Sequence, residues 1–283
     1  MEAAFGWKPV LEKTSAGQDF LGLMAPIENI LDAVTSGLTN ATVRARYFTL
    51  VPWYFWRYTK LTGETSVKEQ KAFAAGFEML IAYANVAAIE SENGTGAGII
   101  RRDLATEEWR KGSRFLPIRG DEIPETPSPN DAVLYGPSLR RLNLLGKSDK
   151  FETCQKGGNI IASQLDPMLR DLPSCTALMT ATKVAREDVE SWIPHLRLDR
   201  ISDLEKQLLR DLFFSTGDFE QEETPPRVLT LQLLMSLVSS ATDAFNEENV
   251  ENALASGTDL AGGGFNASAP LAETHTQWRI IVL

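Results

Sequence analysis

The stretch Thr42-Val-Arg-Ala-Arg-Tyr-Phe-Thr-Leu-Val-Pro-Trp-Tyr-Phe-Trp-Arg-Tyr58 decides the fold of this 283-residue chain. Aromatic and aliphatic side chains would fall on nearly every face of a helix built from it, and such a helix belongs in a protein interior. The sequence therefore predicts a central, buried helix. Pro52 lacks the amide hydrogen that a helix interior needs, so we expect the helix to kink or split there.

Helical patterns continue on both sides of this stretch. Apolar residues recur at spacings of three and four, and the pairs Ser66–Glu69 and Ser202–Glu205 fit the capping box that begins a helix. Further helices are expected over residues 27–38, 66–88, 104–111, 131–145 with a break at 136–137, 159–170, 183–193, 204–215, 227–241 and 247–255. The predicted fold is mainly α, a multi-helix globular protein with room for a small helix-turn-helix or winged-helix-like segment near residues 100–150.

Charge and proline content predict where the chain divides. Residues 1–150 hold 18 Lys/Arg and 18 Asp/Glu, whereas residues 151–283 hold 10 and 20, which accounts for the net charge of −10. The proline-rich stretch 117–130 indicates an extended connection. We predict an N-terminal helical domain over 1–116, a connection with a candidate helix-turn-helix over 117–150, and an acidic C-terminal helical domain over 151–283. Because phosphate binding needs cations, nucleic acid should contact only the first half.

Residues that carry catalysis or bind metals are sparse. Cys154 and Cys175 form no CxxC pair, and His195 and His275 lie far from both in sequence, which disfavours zinc sites of ordinary spacing. Neighbouring carboxylates such as Glu187 and Asp188 do not share a helix face. We therefore predict no cofactor, no metal and no catalytic residue.

The glycine-rich segment Asn93-Gly-Thr-Gly-Ala-Gly98 has two interpretations. A dinucleotide fingerprint needs a strand before it and a further glycine, whereas a helix precedes this segment and Ile99 follows it. It indicates either a structural loop or an anion-binding loop assisted by Arg101 and Arg102.

Nothing in the chain predicts contact with a membrane. The first ten residues lack the apolar run of a signal peptide. The stretch 43–58 is too short and carries too many arginines to span a bilayer. The cytoplasm is the expected location.

Nine basic residues are candidates for binding nucleic acid or another anion: Arg44, Arg46, Arg101, Arg102, Arg110, Lys111, Arg114, Arg140 and Arg141. Those on the aromatic helix could stack with Trp53 and bind a phosphate or a base. Alternatively, they pair with a buried carboxylate such as Glu28 or Asp32.

The other candidates fall into two groups. The basic residues of segment 101–119 form either a binding strip or a solvated face, because acidic residues are interspersed among them. Arg140 and Arg141 follow a predicted tight turn. A helix-turn-helix would place both of them, together with Ser138, on the outward face of its second helix.

Residues 42–53 resemble the signature of an uncharacterised bacterial family, whose members carry a similar Thr-x-x-x-Arg-Tyr-Phe-x-x-Val-Pro-Trp segment near the N-terminus. The resemblance covers residues 20–60 and continues more loosely, through the glycine loop and Tyr135–Arg141, to about residue 150. It implies a bacterial cytosolic protein, an accessory component encoded near mobile-element or phage-defence genes. It implies no catalytic residues, and it favours a chain that continues beyond Trp278–Arg279.

These observations support three hypotheses. The ordered helical core, the surplus of aromatic residues and the missing catalytic groupings favour a non-catalytic interaction subunit, whose partners would be other protein subunits. The first alternative is a DNA-binding module that uses segment 101–119 with Arg140 and Arg141. The second is an enzyme of unrecognised type.

The apolar run Trp278-Arg-Ile-Ile-Val-Leu283 is the last feature that needs a partner. Left in water, its side chains would form an adhesive patch. We expect the run to contact the apolar helix around Val228–Val238 or another subunit.

Overall fold

The computed structural model describes residues 34–35, 37, 43–62, 66–92, 98–120, 135–148, 151–170, 172 and 181–240, and these residues are mostly helical. The helices are α1 (Tyr47–Thr62), α2 (Val67–Glu92), α3 (Arg102–Arg110), α4 (Gly136–Arg141), α5 (Lys156–Leu169), α6 (Arg186–Leu196), α7 (Asp203–Phe214) and α8 (Pro226–Ser240). The strands are β1 (Phe115–Pro117), β2 (Leu145–Ser148), β3 (Phe151–Cys154) and β4 (Lys183–Ala185). The prediction of a mainly α fold is confirmed.

Helix α1 is the central element, as its sequence predicts. Its aromatic side chains other than the half-buried Trp56 are buried, including Trp53, whose ring centroid lies 5.4 Å from that of Phe77 on α2. The helix continues through Pro52 rather than splitting. The Cys154 thiol donates to the Pro52 carbonyl at 3.1 Å, so a group from β3 meets the backbone at the proline. Pro52 therefore lies within a continuous helix, at the position where β3 contacts that helix.

Helix α2 begins at the predicted capping box and is buried along most of its length. The Glu69 amide donates to Ser66 Oγ at 3.2 Å, and the Ser66 amide donates back to Glu69 Oε2 at 3.4 Å. Residues 67–91 are long and apolar enough to cross a membrane, with a mean hydropathy of 1.6, but 83% of that window is buried inside the protein. A core helix has these properties, which makes α2 weak evidence for a membrane span.

Four short strands form two antiparallel pairs that the sequence did not predict. Strand β1 pairs with β4 in the register Leu116↔Val184, and β2 pairs with β3. The Ile118 amide donates to the Thr182 carbonyl at 2.8 Å. Amides that bond to β4 alternate along β1, so the backbone nitrogen of Pro117 points away from β4 and the pairing needs no amide hydrogen there. The expected helices 131–145 and 183–193 were therefore wrong at Leu145 and Lys183, which lie in strands. Strands of three or four residues are too short to show a period-two pattern.

Two contacts outside the strand pairing hold the hairpin β2–β3 in place: one with α2 and one with α5. The Gln70 side chain of α2 exchanges two hydrogen bonds with the backbone of Glu152, at 2.8 and 3.0 Å, as a neighbouring strand would. At the start of α5, a Cβ atom on Gly158 would lie 2.0 Å from the Leu144 carbonyl oxygen. Only glycine allows this helix to approach the backbone just before β2 so closely.

The second half is helical as expected, with small shifts at the ends. Ser202 and Glu205 form the predicted capping box at the start of α7. That helix ends at Phe214 because Ser215 adopts a left-handed conformation, with φ of 52°, so the stop comes before the predicted Gly217. One hydrophobic cluster includes residues of all three predicted segments, from Tyr47 to Phe219.

Several expectations fall outside the described residues. They are most of the helix over 27–38, the glycines of residues 94–96, the connection over 121–130, the first part of the helix over 131–145, the helix over 247–255, His275 and the apolar run 278–283.

Candidate functional site

Arg46 is buried in an ion pair that joins the start of α1 to α7. Its Nε donates to Glu205 Oε1 at 2.9 Å and its Nη2 donates to Glu205 Oε2 at 3.1 Å. Its Nη1 donates to the Arg197 carbonyl oxygen. The interpretation that Arg46 pairs with a buried carboxylate is thus correct, and the carboxylate shown is Glu205; Glu28 and Asp32 lie outside the described residues.

Glu205 also holds other groups around this ion pair. Thr49 Oγ1 donates to its Oε1 at 3.1 Å, and the backbone amide of Ser202 donates to its Oε2 at 3.2 Å. One carboxylate therefore links α1, the turn after α6 and the start of α7. Because the charged groups of Arg46 and Glu205 are inside the protein, this ion pair is a structural contact between helices.

Arg101 is also paired internally. Its Nε lies 3.0 Å from Glu78 Oε2, and only 5% of the Arg101 side chain is exposed. Tyr54 donates its hydroxyl to Glu78 Oε1 at 3.3 Å. Arg101 adopts a left-handed backbone conformation, with φ of 62°, which turns the chain into α3. The Arg101 guanidinium is therefore paired with Glu78. Residues 93–97 of the glycine segment lie outside the described residues, so its anion-binding interpretation stays a prediction.

Two tyrosine hydroxyls hold the segments that lead into α1 and α3. The Arg44 amide donates to the Tyr135 hydroxyl at 2.7 Å, and the Ile100 amide donates to the Tyr47 hydroxyl at 3.1 Å. Burial raises the pKa of Tyr47 and of Tyr135. Both phenols therefore stay neutral at physiological pH and act as hydrogen-bond acceptors for these backbone amides.

Three exposed basic residues of segment 101–119 lie near carboxylates. Lys111 Nζ lies 2.5 Å from Glu108, Arg110 Nε lies 3.6 Å from Glu90, and Arg114 Nη2 lies 3.9 Å from Glu187. Arg102 is exposed at the start of α3. We name the surface formed by Arg110, Lys111, Arg114 and Phe115 the outer strip.

Arg186, which was not predicted as a site residue, packs next to the outer strip. The Arg186 guanidinium lies over the Trp109 ring, 3.8 Å from its centroid, and Arg186 also donates to the carbonyl oxygens of Ser113 and Trp109. The Arg114 guanidinium, in turn, lies over the exposed Phe115 ring, 5.5 Å from its centroid. Cations and aromatic rings therefore alternate along this edge of the protein.

The helix-turn-helix expectation fails on the orientation of its residues. Ser138 is fully buried rather than outward, because α4 has only six residues and packs on the core. Arg140 Nη2 lies 2.9 Å from Glu152 Oε1 of β3, while Arg141 is exposed. The expected second helix is α4 itself, and it is six residues long and is followed by strand β2.

Two further groups, Cys154 and His195, were weighed as candidates from the sequence. Burial raises the pKa of the Cys154 thiol to about 12, so the thiol is protonated at neutral pH. His195 is exposed near the end of α6. Among the residues that the structure describes, no three His, Cys, Asp or Glu side chains cluster closely enough to hold a metal ion.

No family model, no curated protein and no solved structure matches this chain. The resemblance of residues 42–53 to a bacterial family therefore stays a prediction.

Proposed function

We propose that the protein is a non-catalytic helical interaction subunit of a bacterial multiprotein system, and that its outer strip is a surface for a protein partner. The anti-phage role and the cytoplasmic location in this proposal come from the family resemblance of residues 42–53. The structural support comes from the exposed aromatic ring of the strip and the charges around it.

Phe115 is the observation that carries the proposal. Its side chain is 53% exposed, although it lies at one end of a strand whose next residue, Leu116, is buried in the core. Arg114 and Lys111 lie beside it in sequence and in the strip, each near a carboxylate. An aromatic residue surrounded by compensated charges is the usual composition of the centre and rim of a protein interface.

Charge balance favours a protein over a nucleic acid. Six of the nine candidate cations lie within ion-pair distance of a carboxylate: Arg46, Arg101, Arg110, Lys111, Arg114 and Arg140. A phosphate would have to displace these carboxylates, and three of them belong to buried residues, Glu78, Glu152 and Glu205. Such a surface gives weak electrostatic attraction for DNA.

Co-purification with the products of neighbouring genes tests the proposal. We expect one of them to form a complex of fixed stoichiometry with the chain, and Phe115→Ala to weaken that complex by roughly 30-fold, as a hot-spot aromatic residue does. Met168→Ala is the matched control, because Met168 is an exposed apolar residue on α5. A wild-type chain that binds none of these products contradicts the proposal.

DNA binding is the second candidate, and one observation favours it. The side chains of Arg110 and Arg114 are 73% and 77% exposed and their contacts with carboxylates are long, so a phosphate could compete for them. This function predicts binding that weakens steeply with salt and a smaller salt dependence in the Arg110→Ala/Arg114→Ala variant. Absence of binding at low salt excludes it.

A further inference from the structure

Arg119 lies two residues after strand β1 and packs against helix α2. Its Nε donates to the Ala181 carbonyl at 3.1 Å, and its backbone amide donates to the Thr182 carbonyl at 3.2 Å. A Cβ atom on Gly76 of α2 would lie 3.5 Å from Arg119 Nε and 3.6 Å from its Cγ, so the side chain lies directly against the helix at a residue without a side chain. The guanidinium of Arg119 is therefore held in position from two sides.

One nitrogen of this guanidinium has no acceptor. Arg119 Nη2 is buried, and no acceptor of the described residues lies within hydrogen-bond distance of it. Burial lowers the pKa of Arg119, and no carboxylate in the described part of the chain offsets that effect. Buried polar groups in proteins nearly always have a hydrogen-bond partner, and the cost of leaving one unpaired is highest for charged groups. Nη2 is thus a donor that the oxygen of a bound molecule would satisfy.

Two comparable arginines lack this combination of properties. Arg227 is buried without a carboxylate, but its guanidinium donates to two carbonyl oxygens of α7 and to the Ser215 hydroxyl. Arg57 has a buried Nε without an acceptor, but the Asp166 carboxylate lies 3.5 Å from its Nη1. Arg119 combines the unpaired donor with an uncompensated charge, which burial alone does not explain.

We propose that Arg119 anchors a binding site for a small oxyanion, a phosphate or a carboxylate group, whose oxygen accepts from Nη2. The Arg119 side chain is only half-buried, and its neighbours Gly120 and Thr182 are exposed, so a small molecule can reach the site from solvent. Guanidinium is the side-chain group that binds both of these anions best, because its N–H donors match the spacing of two oxygens on one carboxylate or phosphate. The site is independent of the outer strip and of its partner.

Thermal unfolding of the full chain in sodium phosphate, acetate and chloride of equal ionic strength tests the site. We expect phosphate or acetate to raise the melting temperature above that in chloride until the site is saturated, by about 3–6 °C at ten times the dissociation constant. A rise in one of the two anions alone identifies that anion as the ligand class. Arg119→Met should abolish the rise, whereas the control Arg210→Met, at an arginine that is 65% exposed on α7, should retain it.

Equilibrium dialysis with radiolabelled phosphate and acetate measures the binding directly and does not depend on a substitution that could disturb folding. The wild-type chain should bind a single anion, and Arg119→Lys, which keeps the charge but loses the paired donors, should bind it roughly tenfold more weakly. A wild-type chain that binds neither anion overturns the proposal. A melting-temperature rise that persists in Arg119→Met also overturns it, because such a rise is a general effect of the salt.

Discussion

Replacing Arg46 with methionine should destabilise the protein far more than replacing an exposed arginine. Methionine keeps an unbranched apolar side chain on α1 but leaves the Glu205 carboxylate in the interior, with 1% of its side chain exposed. The carboxylate would lose the two bonds from Arg46, of 2.9 and 3.1 Å, and keep those from Thr49 and Ser202. The variant thus contains a buried charge that is only partly compensated.

The magnitude follows from the two lost bonds. A hydrogen bond to a charged group contributes about 1.5–3 kcal/mol, and removing one partner of a buried ion pair costs about 3–5 kcal/mol in total. We therefore expect the free energy of unfolding to fall by about 3–5 kcal/mol. For a protein whose whole stability is roughly 5–15 kcal/mol, this is a large fraction.

Urea unfolding followed by circular dichroism measures the change, provided that the m-value stays constant. Arg110→Met is the control, because its exposed pair with Glu90 should contribute less than about 1 kcal/mol. The double variant Arg46→Met/Glu205→Leu should be more stable than the sum of the single effects, since both charges are gone. A loss below about 1 kcal/mol for Arg46→Met would refute the interpretation of this pair as a buried structural clamp.

Three further predictions concern the packing around α1 and α5. Trp53→Ala and Phe55→Ala should each lower the free energy of unfolding by about 3–5 kcal/mol, because both side chains are buried and leave large cavities; wild-type melting curves for both would show a surface helix. With the other cysteine replaced by serine, the half-buried Cys154 should react with iodoacetamide at pH 8 far more slowly than the same thiol in the unfolded protein, since burial raises its thiol pKa to about 12. The unfolded thiol ionises near pH 9, so the stability of this form relative to a Cys154→Ala variant should fall as the pH rises from 9 toward 12; rapid labelling at pH 8 would contradict the buried position. Gly158→Ala should cost about 1–3 kcal/mol or more, because a Cβ atom would lie 2.0 Å from the Leu144 carbonyl oxygen, and an unchanged melting temperature would exclude this close contact.

Local signals in the sequence were sufficient to predict the helices. The capping boxes at Ser66 and Ser202 depend only on residues three positions apart, and both are present. The central position of α1 followed from its composition, because no other place in a protein accommodates apolar residues on every face. The strands escaped prediction because β1 and β4 are three residues long and pair across about 70 residues of chain.

The candidate site was harder to predict, because whether each arginine is buried or exposed depends on carboxylates that are distant in sequence. Arg46 pairs with Glu205, 159 positions along the chain, and Arg101 pairs with Glu78, 23 positions back. An arginine in a sequence looks the same whether it is buried against a carboxylate or exposed to a phosphate. Its aromatic surroundings were the available signal, and for Arg46 they correctly favoured the buried alternative.

The separation of Arg46 and Glu205 also matters while the protein is being made. Translation at about 5–20 residues per second needs roughly 8–30 s to proceed from one residue to the other. During that interval, the most aromatic segment of the chain has left the ribosome without the carboxylate that neutralises its buried arginine. The nascent chain therefore exposes an apolar, charged segment for many seconds, and we expect its yield in the cell to depend on chaperones that shield such segments until α7 is synthesised.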